Sequence, residues 1–172
     1  GLGDINNIAS SSLLEFYELN DDPRVTAVYR YRASDSTYVA LPQGAGDEFN
    51  DTAVSYARPN VRQTTPVFLM TVAESNFLQA EGLIRYAGGA GAKQKYDAGV
   101  IASFDTYQTH FGFLNEDREP MEVSGEDFVA PGGPYEYEPG ADVEATVRQV
   151  IIQKWAALAF VNNIESYIET TR

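Results

Sequence analysis

The segment that decides the fold is Val67–Phe111, with the sequence VFLMTVAESNFLQAEGLIRYAGGAGAKQKYDAGVIASFDTYQTHF. Apolar residues recur at helical spacing on both sides of the glycine-rich run at 88–92. This pattern predicts helices over Val67–Ala87 and Lys93–Phe111. Because so short a turn joins them, the helices are expected to pack as antiparallel neighbours. Such a pair has the shape of a tetratricopeptide unit, although the full repeat pattern is absent.

The same spacing predicts which sides of the two helices meet. In the first helix the buried stripe is expected to comprise Phe68, Val72, Asn76, Ala80, Leu83, Ile84 and Ala87. In the second helix it is expected to comprise Tyr96, Val100, Ser103, Phe104, Tyr107 and Phe111. Gly88 or Gly89 is expected to adopt the left-handed conformation that ends a helix.

The residues before this pair predict a short helix followed by a small β-hairpin. The helix covers Ser12–Leu19 and is ended by the turn Asn20–Pro23, because proline disfavours helical conformation in the residue before it. The stretches Val25–Tyr31 and Thr37–Leu41 are rich in β-branched and aromatic residues, which favours two paired strands.

The C-terminal region predicts one long helix over Asp142–Thr170, with Asp142 as its N-cap and Trp155 as a buried core anchor. Two long irregular stretches, Pro42–Pro66 and Asn115–Gly140, separate the helical regions. The predicted fold class is therefore mainly α, with a tetratricopeptide-like helical hairpin, a long C-terminal helix, long irregular loops and a small β-hairpin. Within a single domain, 1–172, the expected segments are 1–66 (short helix, hairpin and loop), 67–111 (helix pair), 112–141 (loop) and 142–172 (helix).

Composition excludes several functional classes. Of 172 residues, 25 are acidic and 12 basic, so the formal net charge of −13 disfavours binding to phosphate backbones or anionic lipids. The chain has no cysteine, and His110 is its single histidine, which excludes thiolate and multi-histidine metal sites. Asp4, Asp21 and Asp22 could donate oxygen ligands to Ca²⁺, but they lack an EF-hand pattern, and aspartates in turns commonly cap the backbone instead. No metal, cofactor or membrane span is expected.

Four stretches in this order resemble one known family. They are NDDPR at Asn20–Arg24, TPVFLMTVAESNFLQAE at Thr65–Glu81, YDAGVIAS at Tyr96–Ser103 and IIQKWAAL at Ile151–Leu158. Together they are similar to the motifs of the SusD/RagB family, which are outer-membrane lipoproteins of Bacteroidetes.

The resemblance implies a mostly helical fold with tetratricopeptide-like helix pairs and a place on the extracellular face of the cell outer membrane. It also implies capture of an oligosaccharide or peptide nutrient and its delivery to a SusC-type TonB-dependent transporter, without bond cleavage. Family members are longer, so the chain is expected to correspond to a C-terminal portion, with the lipid anchor outside it.

Five aromatic residues in irregular segments are the candidate ligand contacts. Tyr29 and Tyr31 are expected to share one face of the hairpin, and Phe128, Tyr135 and Tyr137 lie in the glycine- and proline-rich loop. A tyrosine offers a flat apolar face and a hydroxyl at low entropic cost, which suits sugars. The alternative is that these rings anchor the long segments to the helices.

Two other functional interpretations stay open. The helix pair and the C-terminal helix could form a non-catalytic scaffold for protein–protein docking. A glycosidase that uses two carboxylates is the less favoured alternative, since Glu74 and Glu81 are about 10 Å apart at the rise of an α-helix. No catalytic residue is therefore predicted.

Overall fold

The computed structural model of the protein describes residues 8–32, 35–45 and 56–171. The chain divides into two compact units. The first unit combines the described residues up to Thr65 with Tyr107–Glu122, and the second combines Pro66–Thr106 with the described residues from Val123 onward. The expectation that residues 1–172 form a single domain stays a prediction.

The first unit contains short helices and two small antiparallel sheets. Its elements are α1 (Ser11–Leu19), α2 (Arg24–Val28), β1 (Tyr29–Arg30), β2 (Arg58–Pro59), β3 (Phe113–Leu114) and β4 (Pro120–Met121). Strand β1 pairs with β2, and β3 pairs with β4 in a hairpin that places Phe113 opposite Met121. The core of this unit is rich in tyrosine, because Tyr17, Tyr29 and Tyr107 are all buried.

The second unit consists mainly of helices. Its elements are α3 (Val72–Tyr86), α4 (Ala92–His110, of which the residues up to Thr106 belong to this unit), α5 (Glu126–Val129), α6 (Val143–Leu158) and α7 (Asn163–Glu169). Helix α3 packs along α6, and α6 packs against α7. The predicted mainly helical fold class is confirmed.

The predicted helix pair is present as α3 and α4. The ring centres of Phe77 in α3 and Tyr96 in α4 are 6.2 Å apart. A Cβ atom on Gly99 of α4 would come within 2.8 Å of the Phe77 ring. Only a glycine therefore lets the two helices approach this closely. Gly88 and Gly89 both have positive φ, and the Gly89 N–H donates to the carbonyl oxygen of Leu83, as expected for a left-handed helix end.

The buried side of α3 differs from the prediction by about one residue. Ala80 and Ile84 are buried as predicted, but Val72 is 69% exposed and the helix buries Ala73 and Phe77 instead. The helix also begins later than predicted. Thr71 accepts a hydrogen bond from the backbone of Glu74, so the helix begins at Val72 rather than at Val67.

The predicted strand at Val25–Tyr31 is wrong over most of its length. Residues 24–28 form helix α2, and the strand β1 that follows pairs with Arg58–Pro59 rather than with Thr37–Leu41. Helix α2 follows Pro23, whose fixed φ suits the start of a helix, and this effect outweighs the strand preference of Val25, Thr26 and Val28.

The single long C-terminal helix is interrupted. Asp142 caps α6 as predicted, because its side chain accepts from the Ala145 N–H at 2.8 Å. The helix then ends at Leu158, and Phe160 takes a positive φ of 58° before α7 begins. Trp155 is half-buried rather than part of the fully buried core. The loop predicted for 112–141 also contains β3, β4 and α5.

The helices of the described residues include none with the length and apolar character that crossing a lipid bilayer requires.

Candidate ligand-binding site

The first wall of the candidate site is the turn Asn20–Pro23, which a buried ion pair holds in place. Arg24 Nη2 lies 2.6 Å from Asp22 Oδ2, and both side chains are fully buried. The Arg24 guanidinium carbon lies 5.4 Å from the centre of the Tyr17 ring. Burial raises the pKa of Tyr17 and of Tyr107. Both phenols therefore stay protonated at neutral pH. The turn thus packs on a buried cluster of Tyr17, Arg24 and Asp22.

The second wall is the β3–β4 turn. Asn115 organises it with three hydrogen bonds: its N–H donates to the Glu119 carbonyl, its carbonyl accepts from the Arg118 N–H, and its side chain accepts from the Glu119 N–H at 2.9 Å. The Leu114 N–H donates to Thr26 Oγ1 at 3.1 Å, which ties this hairpin to α2. The two walls are thus fixed to each other within the first unit.

Arg118 connects the second wall to a pair of tyrosines. Its guanidinium carbon lies 3.6 Å from the centre of the Tyr31 ring, and its Nη2 donates to the Ser36 carbonyl at 2.9 Å. Tyr38 stands edge-on to Tyr31, with ring centres 6.5 Å apart. Arg118 Nε is buried and has no hydrogen-bond partner among the residues that the structure describes.

The third side is formed by Arg32 and residues 35–38. The Thr37 side chain donates to Asp35 Oδ1 at 2.7 Å, and Arg32 forms an ion pair with the same carboxylate. The hydrogen bond from Thr37 lowers the pKa of Asp35. The Ser36 N–H donates to the Arg32 carbonyl at 3.0 Å, which closes the turn and aims the Ser36 carbonyl at Arg118.

These three parts enclose a cavity of about 690 Å³ within the first unit, which we call the tyrosine–arginine cleft. Its lining comprises Tyr17, Glu18, Asp21, Asp22, Pro23, Val25, Thr26, Ser36, Tyr38, Leu114, Asn115, Glu116, Arg118 and Met121. Small-molecule sites commonly measure about 300–1,000 Å³, so this volume is sufficient for a ligand.

The chemistry of the cleft is that of a binding site with many hydrogen-bond acceptors. Tyr38 is half-buried, and burial raises the pKa of its phenol. Partial burial and the neighbouring Glu15 raise the pKa of Glu18. Asn115 supplies an amide, and Glu116 an exposed carboxylate. In the described part of the chain, no three carboxylate or imidazole groups are grouped as a metal site would require.

The structure places two of the predicted ligand contacts in the first unit. Tyr29 is 2% exposed and is paired with Pro59 across the β1–β2 ladder. Tyr31 is half-buried beneath the Arg118 guanidinium, at the edge of the tyrosine–arginine cleft. The two residues are therefore in different surroundings, although the predicted hairpin would have placed them on one face.

The other three predicted contacts lie in the second unit, where Phe128 and Tyr137 pack on helix α4 and Tyr135 packs on Phe128. The Phe128 ring centre is 4.6 Å from that of Phe104 and 5.6 Å from that of Tyr135, which is 3% exposed. Tyr137 packs on Tyr96 at 5.2 Å. Tyr137 also lines a cavity of about 390 Å³ beside the turn that joins α3 and α4. Ligand binding by all five residues stays a prediction.

The family model for SusD-like proteins, described as "Susd and RagB outer membrane lipoprotein", matches residues 7–172 of this chain. The chain belongs to the SusD-like family. It is thus a member of a family of outer-membrane lipoproteins, as the four motif stretches predicted. A comparison with the curated proteins gives no match.

Sequence reasoning missed the two residues of this SusD-like chain that join the parts of the cleft. The sequence predicts Tyr38 on a strand and Arg118 in a long irregular stretch. The stretch Asn115–Glu119 does carry a usable signal, because Asn115 and Asp117 are residue types that favour turns. The stacking of Arg118 on Tyr31, 87 positions earlier in the chain, leaves no local trace in the sequence.

Glu74, Glu81 and His110, the other polar residues considered from the sequence, lie outside the tyrosine–arginine cleft of this SusD-like chain. Glu81 pairs with Arg85 at 2.8 Å, and Arg85 also pairs with Glu144 at 2.6 Å, so this cluster links α3 to α6. His110 is exposed at the end of α4. Glu74 is buried near the Thr71 cap.

Proposed function

We propose that this SusD-like chain is part of a cell-surface protein that binds oligosaccharide or peptide nutrients without cleaving them. In this proposal it presents the nutrient on the extracellular face of the outer membrane and delivers it to a SusC-type TonB-dependent transporter. The observation that carries the proposal is the family match over residues 7–172. The cavity of about 690 Å³ in the first unit supports it, because it combines aromatic and polar side chains.

A binding experiment on the full-length protein tests this function. The protein is titrated by calorimetry with a panel of plant and microbial oligosaccharides and with a mixture of short peptides, and each sample is then analysed for cleaved products. We expect saturable binding of at least one nutrient and no release of smaller sugars or peptides. A folded protein that binds nothing in the panel, or that hydrolyses what it binds, contradicts the proposal.

A second candidate function is a non-catalytic helical scaffold that docks another protein. The observation that favours it is the apolar segment that leads into the first residue of α3, which we call the apolar strip. Its residues are Val67, Leu69, Met70 and Val72, with exposures of 91%, 92%, 56% and 69%. Monomeric proteins rarely leave contiguous apolar surface uncovered.

The scaffold function predicts that a charge in the apolar strip disrupts association and leaves ligand binding intact. Leu69→Asp in the full-length protein should reduce co-purification with a SusC-type transporter expressed beside it. Leu19→Asp is the matched control, since Leu19 is 84% exposed at the end of α1 and lies outside the strip. Equal co-purification of both variants and the wild type contradicts the scaffold function.

A further inference from the structure

We propose that the tyrosine–arginine cleft is the glycan site of this chain and that it selects uncharged sugars over acidic ones. This inference rests on the proposed nutrient-binding function and adds the place and the chemical class of the ligand. Tyr38 is the aromatic contact in this proposal, and Arg118 is the fixed hydrogen-bond donor.

Backbone strain is concentrated around the cleft. The non-glycine residues with positive φ in the described part of the chain are Asp21 (49°), Ser36 (58°), Arg118 (65°) and Phe160 (58°). Three of these four line this one cavity. Left-handed conformations of non-glycine residues persist only where surrounding contacts enforce them, and they cluster at binding and active sites. Surrounding contacts therefore hold the backbone of Asp21, Ser36 and Arg118 in this conformation.

Arg118 is held in place before any ligand binds. Tyr31 supports one face of its guanidinium at 3.6 Å, and the Ser36 carbonyl accepts from Nη2 at 2.9 Å. Its Nε, by contrast, is buried without a partner in the described residues. A buried donor without a partner costs free energy that an incoming oxygen atom can recover. A planar guanidinium fixed in this way therefore favours a ligand that carries oxygen acceptors.

The charges around the cleft favour a ligand without negative charge. Glu18, Asp21 and Glu116 line it as carboxylates, whereas Asp22 is already paired with Arg24 and Arg118 is stacked on a tyrosine. Carboxylate oxygens only accept hydrogen bonds, so they suit the many hydroxyl donors of a sugar. A uronic acid or sulfated sugar would face these carboxylates in addition to the chain's net charge of −13.

A sugar explains the cleft better than a peptide does. A cationic peptide could pair with the exposed Glu18, Asp21 and Glu116, but such pairs make no use of the aromatic surface of Tyr38. A sugar ring can instead pack on the half-buried Tyr38 while its hydroxyl groups reach the same carboxylates.

The test measures binding of charged and uncharged ligands to the full-length protein by calorimetry. The probes are malto-, cello-, xylo- and manno-oligosaccharides, with oligogalacturonate as the acidic sugar and a lysine-rich peptide as the cationic probe. We expect an uncharged oligosaccharide to bind and oligogalacturonate to bind at least about 10-fold more weakly, if at all.

Two variants assign the binding to the cleft. Tyr38→Ala should weaken binding of the uncharged sugar by about 10-fold, and Glu116→Ala, on the exposed rim, by about 3-fold. Tyr167→Ala is the matched control, because Tyr167 is 70% exposed on α7 and lies outside the cleft. Circular dichroism establishes that each variant is folded. If Tyr38→Ala does not fold, Glu116→Ala and the choice between probes still decide the outcome.

The outcomes separate this inference from the function on which it rests. An uncharged sugar whose affinity is unchanged by Tyr38→Ala and Glu116→Ala overturns the cleft as the site while nutrient binding stands. Preference for oligogalacturonate or for the peptide overturns the stated ligand class. A folded protein that binds none of these or any other nutrient contradicts the proposed function itself.

Discussion

The carboxylate of Asp22 is the residue on which the first unit depends most directly, because it is the partner of a fully buried arginine. Replacing it by Asn keeps the shape and leaves the Arg24 charge uncompensated, which typically costs about 3–5 kcal/mol. We expect Asp22→Asn to lower the free energy of unfolding by this amount, measured by urea denaturation. The neighbouring Asp21 is exposed, so Asp21→Asn should change the free energy of unfolding by less than about 0.5 kcal/mol. Equal losses in the two variants would contradict this role for the pair.

Glu18 gives the first unit a pH dependence whose sign follows from its raised pKa. A carboxyl group whose pKa is higher in the folded protein contributes stability at low pH, and the contribution is lost as the pH rises through that pKa. At neutral pH the charged Glu18 therefore lowers the free energy of unfolding. We expect Glu18→Gln to be more stable than the wild type at pH 7, with a difference that vanishes below about pH 4.

Urea denaturation at several pH values measures this difference. The second-largest cause of the raised pKa is repulsion by Glu15, so Glu15→Gln should reproduce part of the effect in the same direction. A Glu18→Gln variant that is less stable than the wild type at pH 7 would show that the carboxylate makes a favourable contact in the folded state.

At the scale of the elements, helical periodicity predicted α1 and α4 closely, and it also predicted the end of α3 and the start of α6. The errors lie where two local signals compete. Val25, Thr26 and Val28 favour a strand, yet the preceding proline and the buried Asp22–Arg24 pair start a helix there. The apolar run before α3 continues the helical spacing, yet the Thr71 cap begins the helix after it.

The break between α6 and α7 could not be predicted from apolar spacing, since the spacing continues through it. A buried ion pair fixes the second helix after the break. Lys154 Nζ lies 2.7 Å from Glu169 Oε1, and both side chains are less than 5% exposed. The Ser166 hydroxyl also donates to the carbonyl of Trp155 at 3.2 Å. Helix α7 is therefore attached to α6 by polar contacts that a hydrophobic pattern does not reveal.

This attachment predicts the behaviour of two variants. Lys154→Met alone leaves the Glu169 carboxylate buried without its cation and should lower the free energy of unfolding by about 3–5 kcal/mol. The double variant with Glu169→Leu removes both charges and should recover most of that loss. Denaturation of both variants, analysed as a double-mutant cycle, measures the coupling. A double variant no more stable than Lys154→Met would contradict the assignment.

At the scale of the whole molecule, the family and the helical architecture could be predicted, but the tyrosine–arginine cleft could not. The cleft is assembled from residues near 20–23, 36–38 and 115–118, which are distant in sequence. The sequence predicts Tyr31 as a ligand contact that shares a hairpin face with Tyr29, whereas the structure places its ring against the Arg118 guanidinium. A local pattern identifies the turns but not which of them meet, because that depends on the packing of the first unit.

The charge of the whole chain leads to a prediction about salt. The β3–β4 turn concentrates the acidic surface, since Glu116, Asp117, Glu119 and Glu122 are all exposed and Arg118 is the only cation among residues 115–122. Repulsion between exposed charges acts over about 30 Å at 10 mM salt and about 8 Å at 150 mM. Salt should therefore stabilise the protein by screening this repulsion.

We expect the free energy of unfolding to rise by about 0.2–1 kcal/mol between 10 and 150 mM sodium chloride, in proportion to the modest size of surface charge interactions. Asp117→Asn, which removes one charge from the turn, should be more stable than the wild type at low salt and should gain less from added salt. Asp105→Asn is the matched control, because Asp105 is exposed on α4 without an acidic residue three or four positions away. Thermal denaturation at both salt concentrations measures these changes. A stability that falls with salt, or the same salt dependence in both variants, would show that ion pairs outweigh repulsion at this turn.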